Sequence, residues 1–235
     1  MTNRTGDETL VMTATFRAEA TPCLVVRDEH ERRLHYLCAL VAWGRSPRVR
    51  RIVFGENSNT RFDFSPVLRI LEHAGKEVEV VVFDGNRETT QRGKGYGEGE
   101  ILEYLHHHSR LLQAAPVFYK VTGRLFVSNF DGISEATPSG DAFRLKRWKD
   151  GRPGKALTTF FKCSRTLFEA KLLDAYRDAS DADGHHLEHV YFQRLKDLDI
   201  ADFATKPVMV GQQASTGQMY DPYDHDILRT ARTLL

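Results

Sequence analysis

The chain has 235 residues, 41% of them hydrophobic and 28% charged, which is long enough for a buried core and excludes a disordered or fibrous protein. Its 33 basic and 32 acidic residues give a net charge of +1. That balance excludes the strongly basic surface typical of nucleic-acid-binding proteins, so we expect no nucleic-acid partner.

The cysteines and the apolar segments bear on location. Cys23, Cys38 and Cys163 are widely spaced, show no disulfide or metal-ligand pattern, and favour the reducing cytoplasm. The polar segment 1–9 lacks the apolar stretch of a signal peptide, and no run approaches the ~20 apolar residues of a membrane-spanning helix. We therefore expect a cytoplasmic protein with at most peripheral association with the inner face of the membrane.

Strand and helix patterns alternate along the first 131 residues. The predicted strands are 11–17, 23–27, 51–54, 78–83, 117–121 and 125–129. The predicted helices are 29–45, 65–75 with a start signal at Ser65-Pro66 and a stop at Gly75, and 100–112. We predict a glycine-rich loop over residues 86–99, just before the helix predicted over 100–112.

The pattern becomes less regular after residue 132. We predict a basic loop over 141–154, strands over 157–163 and 208–210, and helices over 164–178, 186–198 and 224–235. Alternation of this kind predicts one α/β domain over residues 1–235, with a mostly parallel central sheet flanked by helices. Residues 1–131 would form a ligand-binding half, and residues 132–235 a half that binds a second substrate.

Polar residues follow several of the predicted strands. Glu56, Asn57 and Asn59 follow one strand, Asp84 follows the next, and Asn129 ends a later one. Ligands bind beyond the carboxyl ends of parallel strands, so these residues are candidates for a binding site. Each could instead be an ordinary turn or capping residue.

The glycine-rich segment Gly93-Lys94-Gly95-Tyr96-Gly97-Glu98-Gly99 precedes a predicted helix. Glycines allow close approach of backbone to a ligand, and amides at a helix start suit an anion such as a diphosphate. Lys94, Gly95, Tyr96 and Gly97 are therefore candidate ligand contacts, although a flexible connection would look the same.

Lys120 and Arg124 lie on either side of a predicted turn and add positive charge. Asp131, in Asn129-Phe130-Asp131, could hold a divalent cation, Mn or Mg, against phosphate oxygens. Together these features indicate a protein that grips a nucleotide diphosphate carrying a group to be transferred.

Four segments resemble bacterial glycosyltransferases of surface-polysaccharide assembly (capsule, O-antigen or lipooligosaccharide) that have a GT-A-like, Rossmann-like fold. They are Gly93-Lys94-Gly95-Tyr96-Gly97-Glu98, Lys120-Val121-Thr122-Gly123-Arg124, His186-Leu187-Glu188-His189-Val190-Tyr191-Phe192 and Gly211-Gln212-Gln213-Ala214-Ser215-Thr216-Gly217-Gln218-Met219-Tyr220. The similarity spans roughly residues 50–222. It implies a nucleotide-sugar donor bound by the first half and a glycan or lipid-linked glycan acceptor bound by the second.

The resemblance also implies roles for single residues. The family's metal-binding Asp-x-Asp corresponds to Asn129-Phe130-Asp131, in which the first carboxylate is replaced and Asp131 remains. The family's acidic residue at the start of a later helix corresponds to Glu188, the candidate general base for an inverting transfer. Ser215, Thr216 and Tyr220 would contact acceptor hydroxyls or merely shape a turn.

Two other functional classes stay open at this stage. A nucleotidyl- or phosphotransferase would share the diphosphate grip, but the glycine-rich segment lacks the Gly-Lys-Ser/Thr ending of a P-loop. A non-catalytic glycan- or nucleotide-binding module would need no base. The histidines at 106–108 and at 185, 186 and 189 offer no complete zinc ligand set.

Overall fold

The computed structural model describes residues 6–18, 24–137, 140–213 and 216–235. Its strands are β1 Glu8–Ala14, β2 Val49–Glu56, β3 Glu77–Val82, β4 Val117–Thr122, β5 Phe126–Val127, β6 Leu145–Lys146, β7 Lys155–Ala156, β8 Phe160–Ser164 and β9 Met209–Val210. Its helices are α1 Glu29–Gly44, α2 Ser65–His73, α3 Thr89–Arg92, α4 Lys94–His108, α5 Arg110–Ala114, α6 Phe130–Ala136, α7 Arg165–Leu167, α8 Leu187–Leu195 and α9 His225–Arg232.

Five strands form the central sheet in the order β3-β2-β1-β4-β8. β1 is parallel to β2 and β4, and β2 is parallel to β3, whereas β8 is antiparallel to β4. The predicted α/β fold with a mostly parallel sheet flanked by helices is therefore confirmed.

Helices cover both faces of the sheet, which explains the unbroken apolar run in β1. Leu10 and Met12 lie in one core, together with Trp43 of α1. Val11, on the opposite face, lies in a second core with Leu105 of α4. The side chains of all five are completely buried.

Local signals place the first two helices where the sequence predicts them. The Asp28 carboxylate caps α1 by accepting from the Glu31 amide (2.7 Å). Pro66 occupies the first turn of α2, and Gly75, at φ 79°, ends that segment in the left-handed conformation that favours glycine.

The predicted glycine-rich loop over 86–99 is wrong, because most of it is helical. Gly93, at φ 98°, joins α3 to α4, and the glycines after it lie inside α4. A Cβ on Gly99 would stand 2.0 Å from the Cβ of Tyr176, and one on Gly97 would stand 2.5 Å from the Thr89 methyl group. These glycines allow close packing of a helix instead of shaping a loop.

Three other predicted elements differ from the structure. No strand forms over residues 24–27, and Cys23 lies outside the described residues. The strand predicted over 125–129 is the two-residue β5. The helix predicted over 164–178 is α7 followed by a π-helical turn, Phe168–Leu172, and a 3-10 turn, Ala175–Asp178.

The four parallel strands end at the same edge, at Ala14, Glu56, Val82 and Thr122. Since β8 is antiparallel, its first residue, Phe160, lies beside Val121 at this edge as well. The loops that follow four strands and the loop that precedes a fifth therefore meet there, where ligands of such sheets bind.

Candidate active site

A groove runs along this carboxyl edge and consists of three adjoining cavities. The Glu188 cavity (about 100 Å³) is lined by Glu188, the Arg124 cavity (about 80 Å³) by Arg124, and the Asn86 cavity (about 50 Å³) by Asn86. Lys94 lines all three, and Glu98 lines the first two. We call the three together the carboxyl-edge groove.

Arg124 is the most informative residue in the groove. Its side chain is buried with 2% exposure, and its Nη1 has no hydrogen-bond partner among the described residues. Burial is the main cause that lowers the pKa of Arg124. An uncompensated buried cation is costly, so the arrangement points to an anion that binds here.

The backbone around Arg124 is held firmly. The Gly123 amide donates to the Thr13 carbonyl (3.0 Å), and a Cβ at Gly123 would stand 2.6 Å from that carbonyl oxygen. The Tyr223 hydroxyl donates to the Arg124 carbonyl (2.7 Å). The turn after β4 thus packs directly against the end of β1, and a side chain at position 123 would separate them.

Arg32, on α1, places a second buried guanidinium in the Arg124 cavity. It donates to the Thr15 carbonyl from Nε (2.8 Å) and Nη2 (2.6 Å), and to the Val26 carbonyl from Nη1 (3.0 Å). Those acceptors are neutral. Burial is the main cause that lowers the pKa of His35 to about 4, and the charges of Arg124 and Arg32 act in the same direction.

Glu98 and Lys120 form a buried ion pair beneath the groove. Lys120 is completely buried, and its ammonium donates to the Glu98 carboxylate and to the Thr158 carbonyl (2.7 Å). Burial lowers the pKa of Lys120, and Glu98 acts in the opposite direction. The prediction that Lys120 contacts a donor is therefore wrong, because its ammonium is already occupied below the surface.

Glu188 lies in the first turn of α8 and lines the Glu188 cavity together with Lys94 and Glu98. Gln212 and Tyr220 line the same cavity. The Oε1 atom of Gln212 is buried without a hydrogen-bond partner among the described residues. The cavity thus combines a carboxylate, a cation and an amide side chain.

The helix start predicted to bind a diphosphate is occupied by a protein carboxylate. The Gly95 amide donates to Asp181 (3.3 Å), and His186 pairs with the other oxygen of Asp181 (2.8 Å). The Gly95 amide is therefore occupied by a protein group. Both Gly95 and Gly97 line the groove wall, and a donor contact at either one stays a prediction. Tyr96 is buried against Tyr176 and does not line the groove.

The predicted strand-end residues mostly build the loops and do not line the groove. The buried Glu56 carboxylate accepts from the amides of Phe16 (2.8 Å), Ser58 (3.0 Å) and Thr60 (3.2 Å). Asn57, also buried, accepts from the Thr15 hydroxyl (2.6 Å). Both side chains are buried and stabilise the neighbouring loops by hydrogen bonds, so their predicted role as direct donor contacts is wrong in this structure.

Asn59 and Asp84 lie outside the groove. Asn59 adopts φ 50° and lines a separate polar cleft with Arg17. Asp84 is exposed and pairs with Arg87. Asn86 and Thr89, which the sequence did not single out, line the groove instead.

The predicted metal ligand lies at the other end of the sheet. Asp131 accepts from the Ser46 hydroxyl (2.6 Å), and the Ser46 carbonyl accepts from Lys76, which also donates to the carbonyl of Val49 (2.7 Å). Val49 is the first residue of β2. Asp131 therefore lies near the amino ends of the strands and cannot serve a ligand in the groove.

Asn129 is also committed elsewhere, since its amide donates to the Lys206 carbonyl (3.0 Å) and accepts from the Val208 amide (2.9 Å). Within the described ranges, no group of three or more His, Cys, Asp or Glu side chains is placed to hold a metal ion. The described residues thus do not fit a divalent metal at this site.

The three predicted acceptor residues have different positions. Tyr220 lines the Glu188 cavity. Thr216 is exposed and donates to Gln213 (2.9 Å), which itself lines that cavity. Ser215 lies outside the described residues.

Comparison with known proteins adds little. No family model matches the chain, and no curated protein matches it. One similar solved structure is the apo form of the bifunctional glycosyltransferase WbbM, with 10% identity and a TM-score of 0.48. The match covers 86% of this chain and 40% of that protein, so this chain spans less than half of its length. A likeness this distant carries no argument about activity.

Within the described part of the chain, no helix combines the length and the apolar character needed to span a bilayer.

Proposed function

We propose that this protein is a glycosyltransferase that moves a sugar from a nucleotide-diphosphate donor to a glycan or lipid-linked glycan acceptor. The observation that carries the proposal is the buried Arg124 guanidinium, whose Nη1 has no hydrogen-bond partner among the described residues, in a cavity that adjoins the Glu188 cavity. The sequence resemblance adds the context of bacterial surface-polysaccharide synthesis.

The donor diphosphate would bind at the Arg124 cavity, where Arg124, Arg32 and Lys94 supply positive charge. Buried guanidinium groups already in place stabilise the charge that develops on a departing diphosphate without reorganising. The cavities are too small to enclose a whole nucleotide sugar. The diphosphate and the sugar would therefore lie in these cavities, and the nucleoside would lie at their open rim.

The transferred sugar would lie between the Arg124 and Glu188 cavities, which share Lys94, Glu98 and Thr122. The acceptor hydroxyl oxygen attacks the anomeric carbon and forms the new glycosidic bond. The bond from that carbon to the diphosphate breaks, and its electron pair goes to the phosphate oxygen. Glu188 takes the proton of the acceptor hydroxyl.

The difference between the two groove carboxylates supports a single displacement with inversion. Glu98 is held by Lys120, whereas Glu188 lies at the start of α8 on the wall of the cavity. One carboxylate is therefore left for proton transfer, and a covalent intermediate on Glu98 would break its buried ion pair.

The proposal is tested by measuring donor binding and turnover on the same variant. Nucleotide diphosphates and nucleotide sugars are screened by thermal shift, and selective stabilisation by one of them identifies the donor. Glu188→Gln should keep that stabilisation and lose about 100-fold or more in sugar transfer. Glu169→Gln, a carboxylate outside the groove, is the matched control.

Three outcomes would contradict the proposal. If sugar transfer survives Glu188→Gln, Glu188 is not the general base. Binding without any turnover would favour a nucleotide- or glycan-binding module. Release of a phosphorylated or nucleotidylated product, with the sugar–phosphate bond intact, would favour a phospho- or nucleotidyltransferase.

A further inference from the structure

A larger trough adjoins the groove and takes no part in the donor site. Its volume is about 470 Å³, within the range of about 300–1,000 Å³ of small-molecule sites. Thr159 and Tyr220 line both the trough and the Glu188 cavity. A chain of linked sugars can therefore occupy both, with its terminal hydroxyl at Glu188.

The trough is rimmed by positive charge. Arg144, Lys146 and Lys206 all line it. Arg144 has the Asp202 carboxylate 3.6 Å from its Nε, whereas Lys146 and Lys206 form no ion pair with any described residue. Two lysines without carboxylate partners beside a concave surface favour an anionic ligand.

The rest of the lining combines apolar and hydroxyl-binding groups. Val208 and Tyr220 are 42% and 43% exposed and offer apolar surface to the C–H face of a sugar ring. Thr159 and Asp221 line the same trough and can bond to hydroxyl groups. An alkyl chain would offer these two polar groups no hydrogen bond, whereas the hydroxyl groups of a sugar would.

On the basis of the proposed transfer reaction, we propose that this trough binds an acidic sugar unit of the acceptor, one that bears a carboxylate or a phosphate. Lys146 and Lys206 would bind the anionic substituent, and Tyr220 would pack against the ring. The protein would then extend acidic glycans in preference to neutral ones, because only an acidic unit can form ion pairs with the two lysines at the rim.

The test compares an acidic sugar with its neutral ester, and adds one phosphorylated sugar and one phosphate without a sugar. Trigalacturonic acid, its neutral methyl ester and a phosphorylated maltotriose are titrated calorimetrically, with octyl phosphate as the apolar-tailed arm. The acid or the phosphorylated sugar should bind about tenfold more tightly than the ester. Whichever of the two binds more tightly identifies the substituent.

Variants link that preference to the trough. Lys146→Gln/Lys206→Gln should weaken binding of the acidic sugar about fivefold, since exposed charge pairs are each worth little. Lys149→Gln/Lys171→Gln, two exposed lysines that do not line the trough, should change nothing. Equal affinity for acid and ester, no binding of either, or a lysine-dependent preference for octyl phosphate would overturn the inference.

The same samples separate this inference from the proposed function. Nucleotide-diphosphate binding should be identical in the wild type and in both lysine double variants. If nucleotides bind and acidic sugars do not, the acceptor assignment alone fails. If acidic sugars bind and no nucleotide does, the transferase proposal is wrong, but the assignment of the trough to acidic sugars still holds.

Discussion

The Lys120 ammonium lies completely buried beneath the groove and is paired with the Glu98 carboxylate, whose side chain is 20% exposed. Lys120 is on β4 and Glu98 is on α4, so the pair joins the sheet to the helix that forms the groove wall. The pair thereby fixes one carboxylate of the site from below.

Breaking that pair on one side should be strongly destabilising. Lys120→Met leaves Glu98 without its counter-ion and should lower the free energy of unfolding by about 3 kcal/mol, measured by urea denaturation. The double variant Lys120→Met/Glu98→Gln should recover much of the loss, because no uncompensated charge remains. A double variant as unstable as Lys120→Met would show that packing, and not charge, is responsible.

Gly99 should not tolerate a methyl group. Gly99→Ala places a Cβ against Tyr176 inside the interface between α4 and the 3-10 turn, and should cost about 2 kcal/mol. Gly132→Ala, in α6, is the control, because a Cβ there meets nothing within 4 Å. It should raise stability by about 0.5 kcal/mol through helix propensity. Equal effects in thermal denaturation would contradict the packing account.

Arg124→Met should weaken nucleotide-diphosphate binding about thirtyfold, the worth of a charged hydrogen bond. It should not lower the free energy of unfolding, since the Nη1 atom that is removed has no partner among the described residues. Isothermal titration and urea denaturation give the two quantities. Lost binding together with lost stability would indicate misfolding instead.

Asp131→Asn provides the contrasting case. Its carboxylate bonds to Ser46 at the amino end of the sheet, so nucleotide affinity should stay unchanged. A loss of affinity comparable to that of Arg124→Met would show that Asp131 contacts the donor. It would contradict the position of Asp131 at the amino ends of the strands.

His35 should make the protein less stable in mild acid. Its pKa in the folded protein is lowered from 6.5 to about 4, so the unfolded chain binds the proton first as the pH falls. The stability that His35 contributes is complete above pH 6.5 and is lost as the pH falls toward 4. His35→Gln should therefore flatten the decrease in unfolding free energy over that window. An unchanged slope would mean that other groups control it.

The sequence predicted most of the architecture because its signals are local. The apolar run around Val11, the Ser65-Pro66 start and the Gly75 stop each depend on neighbouring residues, and each corresponds to an observed element. The prediction of a glycine-rich loop was wrong because Gly99 packs against Tyr176, a residue far along the chain. No local pattern distinguishes a glycine needed for packing from one needed for a turn.

The site was predictable only in part, for a related reason. Arg124 and Glu188, taken from a turn and from a resemblance, do lie in adjoining cavities. Arg32 gave no signal, because a single charged residue on a helix resembles a solvated face until its burial is known. Asn129 and Asp131 were misplaced because the strand before them is two residues long and α6 begins at Phe130.

The reversed direction of β8 has a consequence for how the chain can be divided. Thr158 and Thr159, just before β8, line the groove, and the Thr158 carbonyl holds Lys120 of β4. A fragment cut near residue 131 would expose the pairing edge of β4, strip Lys120 of a partner and be prone to aggregate. The two halves are therefore inseparable, and a split version should recover only if both pieces are produced together.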